Sequence, residues 1–118
     1  MFFDRYIGLK YQEKFENGKY CGCLYPLYLV NPEAYKFYKF PFSIDSVITR
    51  FCLHSKLITN NNYQLGDMFI VHRFGLFHIF FYENDSFFVH ITKKGGLRRV
   101  KRSYLKDFKI LRVFRWVK

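Results

Sequence analysis

Acidic residues are scarce in this chain: nine Asp and Glu stand against twenty Lys and Arg, a formal net charge of +11 over 118 residues. So one-sided a balance turns attention to an anionic cell wall or a partner protein. Cysteine is sparse too, with Cys21, Cys23 and Cys52 making an odd number and two of them one residue apart, which is poor geometry for a bridge. A disulfide framework is therefore excluded, and synthesis in a reducing cytosol is expected. Seven glycines and three prolines exclude collagen-like and low-complexity chains, and a 50% hydrophobic content excludes intrinsic disorder. Apolar runs stop after a handful of residues, where a bilayer-spanning helix needs roughly 20. Residues 1–15 carry charge throughout and lack the apolar stretch of a signal peptide. No membrane-spanning segment is expected, and the chain is expected to be made in its host's cytoplasm without a secretory leader.

Aromatic residues are in excess, with sixteen Phe and ten Tyr. Beside abundant Lys, Asn and Ile they are what an AT-rich coding sequence yields, so composition alone does not signal a stacking platform. Charge is more informative because it is uneven: residues 93–118 hold eleven Lys and Arg against one acid, Asp107. The length suits one domain over residues 1–118, with 93–118 as a strongly basic part.

Hydrophobic patterning predicts an α+β domain. CGCLYPLYLV from Cys21 to Val30 is apolar enough for a buried helix, and Pro26 is tolerated only in its first turn, so the helix begins near Cys23 or bends there. Ile44, Val47, Ile48, Phe51 and Cys52 repeat with helical period behind Ser43 as N-cap, which predicts an amphipathic helix over 44–54. Beyond TNNNYQLGD the texture changes to short apolar runs at 68–72, 76–82, 86–92, 97–101 and 108–116, an antiparallel sheet of about five strands. Two or three helices packed on that sheet is the expected arrangement.

The runs LFHIFFY and SFFVHIT flank a turn of Glu83, Asn84, Asp85 and Ser86. A hairpin centred on Asn84 would set His78 directly opposite His90, on the mixed face with Phe80, Tyr82 and Phe88, while Ile79, Phe81, Val89 and Ile91 form an apolar face. Two neighbouring imidazoles have a catalytic use, one as general base and the other as the group that orients it. Cys21, placed where a helix is about to begin, is the preferred nucleophile over Cys23, since a helix N-terminus and a nearby imidazolium both favour a thiolate.

The order Cys21, then Gly66-Asp67 opening a strand, then His78 in an H-x-x-x-Y strand, then His90 twelve residues on, resembles the NlpC-type cell-wall cysteine peptidases, compact papain-like hydrolases with a Cys-His-His triad. GDMFIVHRFGLFHIFFYENDSFFVH carries the likeness over both histidines, and YIGLKY resembles the segment that would place an active-site tyrosine at Tyr11. The resemblance implies a Cys21 nucleophile, His78 as base and acid, His90 as its orienter, Tyr11 beside the oxyanion, and peptidoglycan stem peptide as substrate, with no cofactor. Small lone domains of this type resemble tailed-phage tail or tail-tip proteins, so a virion location and other tail proteins as partners are also implied. The alternative is a catalytically silent assembly protein of the tail.

Two further readings rank lower. Cys21, Cys23, His78 and His90 have the softness of a zinc set, but Cys-x-Cys is tighter than the usual ligand pair, so no metal is expected. The basic part with Tyr104, Phe108, Phe114 and Trp116 has the footprint of a nucleic-acid binder, yet strand alternation puts most of its charges on solvated faces, which disfavours specific nucleic-acid binding.

Overall fold

The computed structural model describes residues 1–11, 23–34 and 54–117. Its centre is one antiparallel sheet of six strands in the order β1-β6-β2-β3-β4-β5, with β1 Ser55–Leu57, β2 Met68–Arg73, β3 Leu76–Tyr82, β4 Phe87–Thr92, β5 Gly96–Lys101 and β6 Lys109–Trp116. Among the described residues the helical part is α1 at Tyr25–Val30 and the α-helical residue His54, plus short 3-10 segments at Asp4–Tyr6, Pro32–Ala34 and Arg102–Asp107. This corrects the papain-like α+β expectation of two or three helices on about five strands. The expected helix over 44–54 lies outside the described residues, His54 excepted.

The differences have local causes. Leu24 is the N-cap of α1 and Pro26 falls at its first positions, where a missing N–H costs nothing; Pro32 then disfavours helical backbone at Asn31, so α1 is held to six residues. The sixth strand, β1, is only Ser-Lys-Leu and is too short and polar to show a period of two, yet it pairs with the far end of β6 through Ser55↔Trp116 and Leu57↔Phe114.

Both faces of the sheet are covered, by different parts of the chain. Face A carries Met68, Ile70, Phe81, Val89, Leu97 and Phe114 and packs under Phe3 and the helix residues Leu24, Leu27 and Tyr28. Face B carries Phe69, Val71, Phe80, Tyr82, Phe88 and Val113 and packs under Leu105 and Phe108 of the Arg102–Phe108 stretch. A strand with both faces buried reads as a continuous apolar run, which is why β2 begins Met-Phe-Ile-Val without alternation. One extra residue on β6, Leu111, falls where the β2 pairing shifts between Ile70↔Arg112 and Val71↔Ile110, and this bulge turns Leu111 to face A.

The N-terminal segment lies against the outer side of β5. Gly8 N–H donates to the Leu97 carbonyl at 2.8 Å and Leu97 N–H donates to the Leu9 carbonyl at 2.8 Å. A Cβ at Gly96 would meet the Leu9 carbonyl oxygen at 2.0 Å, so only glycine lets the strap approach. An edge strand is thereby covered.

Candidate functional site: two histidines on an aromatic face

The β3–β4 turn sets the positions of the two histidines. Asn84 Oδ1 accepts the N–H groups of Ser86 at 2.8 Å and Phe87 at 3.0 Å, which keeps Ser86 inside the turn and makes Phe88 the partner of Tyr82. The hairpin is therefore centred on Asp85, not Asn84. The two recorded pairs are Phe81↔Val89 and Tyr82↔Phe88; continued along the strands, that register sets Phe80 opposite His90 and leaves His78 diagonal to it. Direct opposition of the imidazoles, expected from the sequence, is corrected, while the shared face is retained because the register moved by an even step.

Each imidazole packs among aromatic rings on face B. His90 stacks on Phe80 with ring centroids 4.5 Å apart and planes 19° apart, and it stands 6.3 Å from the Tyr104 ring. His78 meets Phe108 edge-on at 5.4 Å. Phe80 and Phe108 are themselves in edge contact at 5.4 Å, so the four rings form one group. Cations flank it: the Arg73 guanidinium lies 5.2 Å from the Phe108 centroid, and Arg98 is the β5 partner of His90.

Both histidines are held in the neutral form. Burial first, then Arg98 and His78, pushes His90 down to about 4, and burial with Arg73 and His72 lowers His78 below the ordinary histidine range. The unfolded chain takes up the His90 proton near pH 6.5 and the folded chain only near pH 4, so the contribution is complete above pH 6.5 and is lost as pH falls toward 4. After discounting for partial exposure, the loss is about 2 kcal/mol. His90→Phe keeps the stack on Phe80 and is expected to flatten that part of the pH dependence of urea unfolding; an unchanged slope would show that His90 is not its source.

The thiol region lies elsewhere. Cys21 is outside the described residues. Cys23 packs against the face A cluster, and burial pushes its thiol up to about 11, the value of an unreactive thiol. Cys23 and the two histidines are thus on opposite faces, and the set Cys21, Cys23, His78 and His90 is not brought together around one point by its described members. Among the described residues no group of three His, Cys, Asp or Glu is placed to hold a metal ion. Tyr11 is half-buried just beyond the strap that pairs with Leu97. The helix α1 opens at Tyr25, two residues after Cys23.

Sequence reasoning missed the surroundings of the histidines. Phe80 was legible from alternation, but residues 102–107 fell between the expected strands 97–101 and 108–116 with no element assigned, and this stretch folds over face B through Leu105, bringing Tyr104 and Phe108 to the histidines. The basic part is also less free than its count implies. Arg99 is bound to Glu83 and Asp4, and Arg115 to Asp67. The exposed cations Lys94, Arg98, Lys101, Arg102, Lys106, Lys109 and Arg112 share their region with Asp107 alone among acids. Compared with known proteins, the chain matches no family model and no curated relative.

Proposed function

We propose that this chain is a non-hydrolytic interaction module whose basic C-terminal part, residues 93–118, holds an anionic partner, in the tail-assembly setting that the sequence resemblance implies. The observation that supports it best is the separation of chemistry across the sheet. His78 and His90 are packed as neutral rings among Phe80, Tyr104 and Phe108 on face B, whereas Cys23 and the start of α1 pack on face A. The surplus of exposed cations beyond Arg99 and Arg115 supplies the attraction for an anionic surface.

A second reading is favoured by one specific observation: the two histidines share a face and lie close enough for His78 to depress His90. In that reading Cys21 attacks a peptide carbonyl of the peptidoglycan stem as its proton passes to His78. His78 returns the proton to the leaving amine, and water then cleaves the thioester and restores the thiol, with His90 orienting His78 and Tyr11 beside the oxyanion. It needs the Cys21 thiol to stand within reach of His78.

Incubation of the purified chain with peptidoglycan sacculi, followed by analysis of released muropeptides, separates the two. The interaction reading expects no new peptide ends and the same profile for Cys21→Ser and His78→Gln. Release of cleaved stem peptide that both substitutions abolish would establish the hydrolase reading instead.

A further inference from the structure

The tip of the β2–β3 hairpin is built against the preferences of its own turn. Arg73 pairs with Leu76, leaving a two-residue loop of Phe74 and Gly75, both with positive φ, 52° and 76°. This is the geometry that selects Asn, Asp or Gly at its first position, and a phenylalanine there is strained. That ring is also 86% exposed and joins neither core cluster. The ring therefore weakens the turn without adding to either core.

Phe74 is not an isolated apolar side chain of the kind every surface carries. Leu76 and Phe77 follow the turn exposed on face B and face A, and Ile110, opposite Val71 on β6, is exposed on the face B side, so apolar side chains stand on both faces behind the tip. Cations ring its base. The Arg73 guanidinium lies 4.7 Å over the Phe74 ring, and Lys109 is the β6 partner of His72, one rung from the turn. Residues 72–77 contain no acid, β6 has none, and Asp107, which ends the 3-10 segment before β6, has Lys106 beside it.

We infer that this tip docks on an anionic lipid bilayer surface, Phe74, Leu76, Phe77 and Ile110 entering the interfacial layer while Arg73 and Lys109 meet headgroup phosphates. The inference rests on the interaction-module reading and names its partner. A convex apolar wedge needs a partner that yields around it, and a bilayer interface does so while offering negative charge at the depth of the cationic ring. The aliphatic Leu76 and Ile110 have no stacking role on nucleic acid, whose bases select aromatic platforms.

Co-sedimentation tests it, using vesicles of phosphatidylcholine alone and vesicles with roughly a third phosphatidylglycerol, alongside retention on heparin as a soluble polyanion. The wild-type chain is expected to sediment with the anionic vesicles and far less with the neutral ones, the more weakly as salt rises. Phe74→Asn suits the left-handed turn, so its melting temperature is expected to hold or rise while vesicle affinity falls about tenfold and heparin retention stays unchanged. Lys109→Glu is expected to weaken binding to anionic vesicles alone. Equal binding by Phe74→Asn, or no preference for anionic vesicles, overturns the tip as a lipid site. If heparin retention persists in that case, the broader interaction reading survives; if neither vesicles nor heparin are bound, both fall.

Discussion

Replacing Arg99 with Met is expected to lower folding stability by about 3–5 kcal/mol, the range for removing one partner of a buried ion pair. Glu83 is almost wholly buried and accepts three hydrogen bonds, from Arg99 Nε at 2.6 Å, Arg99 Nη2 at 3.0 Å and the Phe3 backbone N–H at 2.9 Å. Arg99 Nη2 also donates to Asp4 at 2.6 Å. Without the guanidinium a carboxylate is left in an apolar setting, and the segment carrying Phe3 loses its anchor to the sheet. Urea denaturation measures the loss, and limited proteolysis locates it, with new cleavage expected first in residues 1–11. Arg99→Met combined with Glu83→Leu removes both charges and is expected to recover a large part of the stability. A stable single variant would mean that Glu83 is hydrated.

Arg115→Met is expected to have an effect of the same size at the other side of the sheet. Asp67 is fully buried and accepts from Arg115 Nε and Nη2, each at 2.8 Å, and from the Gln64 N–H at 2.9 Å. Arg115 also donates to the Asn62 carbonyl at 2.9 Å, so one side chain ties β6 to the 60–67 loop and to the start of β2. Loss of the pair leaves Asp67 charged and unpaired, at a cost of about 3–5 kcal/mol. New proteolytic cleavage is expected in residues 60–66 and not at the N-terminus. The same fragment pattern as Arg99→Met would mean that both variants simply unfold globally.

The strands were legible because their apolar runs are bounded by clear turn residues: 76–82 is found as Leu76–Tyr82, and the four other expected strands are found within one residue at each end. The even face-sharing of His78 and His90 was legible for the same reason, since a period of two survives any even change of register. The exact register was not, because it depends on Asn84 closing the turn with its side chain, which spacing does not record. The two carboxylate–guanidinium pairs join residues 16 and 48 positions apart, and no local pattern announces such partners. Glu83 looked like a turn residue and Asp67 like the start of a strand; both proved to be buried anchors. Most consequential was the covering of face B by the basic 102–108 stretch. Residues 102–107 fell between two expected strands without a pattern of their own, and Leu105 and Phe108 draw the stretch onto the sheet beside the histidines.

Alkylation of Cys21 across pH 5 to 9, followed by mass spectrometry in a Cys23→Ala background, tests most directly whether thiol and imidazole work together. The interaction reading expects the slow, alkaline-favoured labelling of an unactivated thiol, with no change on His78→Gln. Rapid labelling that persists below pH 6 and collapses when His78 is replaced would contradict it and restore Cys21 as a nucleophile.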